Sequence, residues 1–201
     1  MKKVLSTPLK QEEIESLEIG DIFYLNGHIV TCRDTAHKHL IVKGKEMPVD
    51  LKDGAIFHAG PIVQKNDQGA YQMISVGPTT SMRMEKLATD FIQATGIRLM
   101  VGKGGMGDKT TEACRRHKVL HCMIPGGCAV SIADQVEEIE RVEWLELGMP
   151  EALWVCRIKE LGPLVVTIDT KGNNLFENNK KLYNGRKAEA LADLKNQVSF
   201  L

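Results

Sequence analysis

Three things are scarce in this 201-residue chain: net charge, long apolar runs and patterned cysteine. Its 26 basic residues are matched by 26 acidic ones, so the formal charge is zero. That balance speaks against broad adhesion to nucleic acid or an anionic membrane and leaves room only for a local cationic pocket. Nowhere do about 18 apolar residues follow one another, and Met1 to Pro8 lack the apolar core of a signal peptide. The expectation is a soluble, cytoplasmic protein with no membrane partner. Cys32, Cys114, Cys122, Cys128 and Cys156 make an odd set without a Cys-x-x-Cys pair. This excludes a disulfide framework and a zinc site and leaves small buried residues as the reading. The histidine pairs His37/His39 and His117/His121 lack the surrounding carboxylate or cysteine pattern of a ligand set, so no metal ligand set is expected.

What is present is a series of strand-to-helix junctions. Tyr71 to Val76 reads as a strand, and Met84, Leu87, Ala88, Phe91 and Ile92 recur at helical spacing until Gly96. Gly77-Pro78-Thr79-Thr80-Ser81-Met82-Arg83 lies between them. A helix entrance offers unpaired N–H groups and partial positive charge, and Arg83 adds a full one. The stretch reads either as an anion site or as a helix capped by one hydroxyl.

The same pattern recurs along the chain. Asp21 to Leu25 and His28 to Cys32 flank Asn26-Gly27, which predicts a hairpin. The second run ends at Arg33-Asp34, with Asp34 as the cap of a helix through Ala36, Leu40 and Ile41. Ala55 to Ala59 and Ile62 to Lys65 predict two more strands, the latter turning at Asn66 to Gly69. Ile97 to Val101 is a buried-strand pattern leading into Gly102-Lys103-Gly104-Gly105-Met106-Gly107. That loop has neither P-loop nor dinucleotide spacing, and its glycines read as turns that let backbone approach a ligand. Val119 to Ile124 leads through Pro125-Gly126-Gly127 into a helix reaching Val136-Glu137. Val142 to Leu145, Leu153 to Ile158 and Leu164 to Asp169 predict three more strands, punctuated at Gly148-Met149-Pro150 and Gly162-Pro163. The fold class is therefore α/β with a mixed sheet and a hairpin-rich N-terminal half. Residues 1–201 form one domain, with 174–201 as a peripheral helical tail.

Arg33, Arg83 and Lys103 thus stand at three strand ends, where ligands of open α/β sheets bind. Guanidinium forks match carboxylates, so converging loops would take a small dicarboxylate. Unrelated surface cations are the alternative. His58 follows a strand and is either a substrate or partner contact or a satisfied structural histidine, and Asp34 reads as a helix cap and an orienter of Arg33.

Five motifs carry a resemblance: Thr31-Cys32-Arg33-Asp34, His58-Ala59-Gly60-Pro61, Gly77 to Met84, Gly102 to Met106 and Ile124-Pro125-Gly126-Gly127-Cys128-Ala129. In this order they resemble the β subunit of iron–sulfur hydro-lyases of the class I fumarase and tartrate dehydratase family. Glu146 to Arg157 and Ile168 to Asn174 look closer to its tartrate dehydratase branch. The resemblance implies a swivelling β/β/α domain that works with a separate α subunit, the latter carrying a [4Fe–4S] cluster, in an α2β2 assembly. It implies dehydration of L(+)-tartrate to oxaloacetate and water, with a two-subunit fumarase as the nearest alternative. It assigns carboxylate binding to Arg33, Arg83 and Lys103 and proton transfer to Thr79, with Thr80, His58 and Asp34 as further candidates. A stand-alone anion-binding module is the alternative from another class.

Overall fold

A computed structural model of the chain describes residues 2–197. Four short runs of β-branched and apolar residues form its parallel heart: β2 (Ile22–Thr31), β3 (Ala55–Phe57), β6 (Leu99–Gly102) and β7 (Leu120–Met123). Neighbours in that order pair in parallel, Val30 with Ile56, Ala55 with Leu99 and Leu99 with Leu120. The seven-stranded sheet is completed by β1 (Val4–Ser6), β8 (Val136–Glu143) and the 16-residue β9 (Leu153–Ile168). β9 runs antiparallel to β2, β7 and β8. Because β9 bonds β2 on one side and β7 on the other, the sheet closes on itself through β2, β3, β6, β7 and β9. A separate hairpin of β4 (Ala59–Lys65) and β5 (Tyr71–Pro78) forms a second sheet.

Period-two alternation sends successive side chains to opposite faces, and the two faces bury two distinct clusters. Leu99 and Val101 join Phe23, Trp154, Val63 and Val76, together with Ile14 of α1 (Gln11–Glu15) and Ile132 of α5 (Ala129–Ala133). Met100 and Ile56 instead pack against α2 (Asp34–Ile41), α3 (Glu85–Thr95) and α4 (Asp108–His117), through Ala36, Phe91, Ile92 and Ala113. Layers therefore run helices, closed sheet, hairpin. α6 (Leu175–Gln197) follows and is largely exposed, while residues 198–201 of the predicted tail lie outside the described residues. No described helix is long and apolar enough to cross a membrane.

Three expectations need correction. Asn26-Gly27 does not turn the chain, because β2 passes through it unbroken and carries register shifts there. Thr7 supplies the reason: its Oγ1 accepts from His28 N at 2.5 Å and donates to the His28 carbonyl at 2.9 Å. Gly27 takes φ +92, and a Cβ there would lie 2.5 Å from Thr7 Oγ1. The left-handed conformation thus serves a bulge rather than a hairpin, and the described N-terminal half holds one hairpin, β4–β5. Likewise Gly162-Pro163 does not split β9, since Gln135 replaces lost ladder bonds by pairing with the Gly162 carbonyl and N–H at 3.0 and 3.1 Å. Val136-Glu137 opens β8 instead of closing a helix, because α5 stops after five residues.

Gly27→Ala tests the bulge. Strain at positive φ together with the Thr7 contact should lower unfolding free energy by about 1–3 kcal/mol in denaturant titration.

Candidate functional site

Parallel strands end on a common edge, so β2, β3, β6 and β7 deliver Arg33, His58, Lys103 and Ile124 to one side of the sheet. The hairpin returns to its origin there, with Ala59 opposite Pro78 in register. Thr79 N–H accordingly donates to the His58 carbonyl at 2.6 Å, and the Thr79 carbonyl accepts from Lys103 N at 3.0 Å. Ser81 N donates back to the Lys103 carbonyl at 3.0 Å, and Thr80 bridges Lys103 in parallel. The segment Thr79–Ser81 is thereby laid between the ends of β3 and β6. A single 3₁₀ turn, Ser81–Met84, precedes α3, and Gly96 at φ +66 ends that helix.

The hydroxyl cap, one of the two readings of this stretch, is not made. Thr80 stands at the N-terminal boundary of the 3₁₀ turn without a side-chain bond, and Ser81 Oγ turns inward to His58 Nδ1 at 3.0 Å. Gly102 makes this possible, because a Cβ there would fall on Ser81 Oγ and lie 3.1 Å from His58 Nδ1.

The two arginines are tied to carboxylates of their own chain. Arg83 donates from Nε to Asp34 Oδ1 at 2.8 Å, and its Nη2 pairs with Asp34 Oδ2. Arg33 Nε lies 3.0 Å from Glu151 Oε1 and 3.4 Å from Asp34 Oδ2. The same Nε is buried without an aligned acceptor, so these contacts are ion pairs by distance rather than directed hydrogen bonds. Burial pushes the Asp34 carboxyl up, but the bonds and charge of Arg83, with a smaller share from Arg33, outweigh it and hold it below its ordinary range. The Arg33 Nη1 passes over Gly60, where any Cβ would collide with it and with Pro150.

Asp34 does not cap α2, contrary to expectation. It is the helix's first residue, and the free N–H of Thr35 is taken by Glu151 Oε2 at 2.8 Å. Glu151 is therefore a site residue that sequence reasoning misses; it lies 116 positions from Thr35, and no local pattern marks it. Ser81 likewise reads in the sequence only as a hydroxyl at a helix entrance.

Lys103 is exposed, and its alkyl chain runs along Gly126, where an added Cβ would lie 3.3 Å from Lys103 Cδ. Arg83 is also half exposed at 47% of its side chain, whereas Arg33 is mostly covered at 19%. Thr79, Arg33, Arg83, Lys103, Asp34 and Thr80 thus meet on one edge, with His58 directly beneath. The edge is open: the larger surface cavities, including a groove of about 500 Å³ lined by Lys86, Asp90, Glu112 and Arg116, are formed by other residues.

Beneath the edge sit three fully buried histidines. His37 Nδ1 donates to the Arg33 carbonyl at 3.0 Å, and the ring stacks on Phe91 with ring centres 4.1 Å apart. His58 lies 5.5 Å from His37 and 6.3 Å from His121, ring centre to ring centre. His121 Nδ1 bonds Thr167 Oγ1 at 2.5 Å. Burial lowers all three, His37 to about 4, His121 to about 3 and His58 well below its ordinary value, the last with help from its two neighbours.

This chain does not fit an iron–sulfur cluster. Cys32, Cys114, Cys122 and Cys156 are buried, with thiols pushed up by that burial, Cys156 to about 12. Only Cys128 is partly exposed. Among the described residues no group of three or more His, Cys, Asp or Glu could hold a metal ion.

The buried histidines set a pH dependence. Unfolded histidine titrates near 6.5 while His37 and His121 hold out to about 4 and about 3, so the unfolded chain binds more protons below neutrality. Stability is then full above pH ~6.5 and falls as pH drops, by up to ~1.4 kcal/mol per pH unit for each histidine. Unfolding at pH ~5 should take up about three protons from these groups, measurable from the pH dependence of denaturant midpoints.

Residues 1–179 match the family described as Fumarase C-terminus. Over 201 residues the chain is 54% identical to L(+)-tartrate dehydratase subunit beta of Escherichia coli (strain K12), covering 100% of both. Identity is again 54%, with 100% of both covered, for the subunit of that name in Shigella boydii serotype 4. A provisionally named class I fumarate hydratase of Geobacillus stearothermophilus is 41% identical over 177 residues, 88% of this chain and 34% of its own length. With a family match across nearly nine-tenths of its length and full-length relatives at this identity, the chain belongs to the fumarase C-terminus family.

Proposed function

We propose that this chain is the β subunit of an L(+)-tartrate dehydratase and supplies half of its active site. The observation that supports this most is the meeting of Thr79, Arg33, Arg83 and Lys103 on one open edge. The full-length relatives named as tartrate dehydratase β subunits point to the same substrate. The [4Fe–4S] cluster expected for this family belongs, in this reading, to a separate α subunit that covers the edge, since the cysteines here do not fit it. The whole chain acts as one module of the swivelling β/β/α type, in a cytoplasmic α2β2 complex.

Each residue then has a role derivable from its surroundings. Dehydration takes a proton from one carbon of tartrate and hydroxide from its neighbour, and the resulting enol becomes oxaloacetate. Arg33 is held at Nε by Glu151 and Arg83 at Nε and Nη2 by Asp34, which leaves the Nη groups of Arg33 and Nη1 of Arg83 to receive substrate carboxylates as charge-assisted pairs. Lys103 adds a point charge beside them and stabilises the negative charge that grows as the C–H bond breaks. Thr79, fixed by main-chain bonds to His58 and Lys103, touches the reacting carbon and carries its proton. A hydroxyl is a weak base at its free pKa, so this role draws on the three cations and on an acidic group across the interface. Thr80 lies beside it at the exposed lip of the edge.

In the α/β complex, assayed without oxygen, L-tartrate should turn over faster than malate; a preference for malate would instead make the complex a two-subunit fumarase. Thr79→Ala should lower kcat at least ~100-fold with KM changed little, because it removes a contact realised in the transition state. Arg83→Met should raise KM ~10- to 100-fold, since it removes binding to the ground state as well.

A further inference from the structure

We propose that His58 is a positioning residue for Thr79, holding the Thr79–Ser81 segment in place with its imidazole as well as its main chain. The proposal rests on the role given to Thr79 above. His58 is fully buried and touches neither end of the edge where substrate would lie, yet it fastens the segment twice. Its carbonyl accepts from Thr79 N at 2.6 Å, and its Nδ1 shares a bond of 3.0 Å with Ser81 Oγ two residues on. Its own N–H is anchored to the Val101 carbonyl at 2.7 Å, so the fastening runs back into β6. Among the described residues the His58–Ser81 bond is the only side-chain hydrogen bond made by the segment. The segment's other ties to the strand ends are main chain, one to the His58 carbonyl and two to Lys103.

The choice of histidine is informative. Its Nε2 is buried without a partner, in surroundings shared with two other buried imidazoles. An apolar ring of similar shape would fill that space without leaving a polar atom unpaired. What an apolar ring could not do is bond Ser81. Gly102 underlines how closely the parts are fitted: no side chain is accommodated between Ser81 Oγ and His58 Nδ1. Burial keeps the imidazole neutral, so its contribution is geometric rather than acid–base. Losing the bond would let Ser81, and with it Thr79, shift against fixed cations, and displacements of an ångström at a reacting group are costly to turnover.

Two variants separate this role from plain packing. Ser81→Ala removes the bond without altering the ring, and His58→Phe keeps an aromatic ring there without the bond. In the α/β complex each should lower kcat for L-tartrate about 10- to 100-fold, with KM within about threefold of the parent, because the carboxylate-binding cations are untouched. The double variant should be no slower than the slower single one, as expected for two halves of one interaction. In the full-length chain without partner, hydrogen exchange of the peptide containing Thr79 to Arg83 should speed up in Ser81→Ala while exchange elsewhere is unchanged. Parent-like kcat together with parent-like exchange in Ser81→Ala would overturn the proposal. So would a rise in KM alone, or a loss of protection spread over the whole chain, which would mark His58 as ordinary core. If Thr79→Ala itself left turnover intact, the reading of Thr79 would fail, and exchange in the 79–83 segment would still decide whether His58 holds it.

Discussion

The edge depends on three main-chain hydrogen bonds: Thr79 N to the His58 carbonyl, Lys103 N to the Thr79 carbonyl, and Ser81 N to the Lys103 carbonyl. They splice the returning hairpin between the ends of two parallel strands. Residues far apart in sequence are thereby held within hydrogen-bond distance on rigid elements instead of on free loops. Their directions are set by the sheet, whose parallel register makes every strand end emerge on the same side. The hairpin register, Ala59 opposite Pro78, gives the splice its position. Two glycines keep it tight: Gly60 lets Arg33 pass and Gly102 admits the Ser81–His58 bond.

Electrostatics at this edge is arranged in two ranks. Asp34 and Glu151 hold the arginines by their Nε sides, so the guanidiniums are oriented before any ligand arrives. Three cations against two carboxylates leave the edge cationic within a chain of zero net charge. Beneath it lies a buried layer of neutral imidazoles, a low-dielectric floor on which surface charges are screened less than in water. Above it, nothing among the described residues closes over the cations. In the proposed reading the edge binds the dicarboxylate and moves the proton, while exclusion of water and departure of hydroxide fall to the other half of the site. A partner surface would supply both.

Much of this was legible from sequence where the physics is local. Runs of β-prone and apolar residues marked the strands, Gly96 marked the end of α3, and cations at three strand ends could be read directly because strand ends in α/β folds face one edge. Turn dipeptides misled for a physical reason: they report which backbone conformations are available, not which neighbour uses them. Gly27 does adopt positive φ, but Thr7 and β9 turn that freedom into a bulge. Gly162-Pro163 stays in strand because Gln135 takes over its missing partners. The capping of α2 by Glu151, the pairing of Asp34 with Arg83 and the bond between Ser81 and His58 all join distant segments. Pattern within one segment carries no trace of them, and the family resemblance named the four central residues without these supports.

The account's central claim is that this edge is half of a site, completed by a cluster-bearing partner. Its most direct test is anaerobic L-tartrate dehydration by the chain alone, by the purified α subunit alone, and by the two mixed in increasing ratio. The account predicts turnover only in the mixture, rising to saturation as the subunits approach equivalence. Turnover by this chain alone, or a mixture no faster than the α subunit by itself, would contradict it.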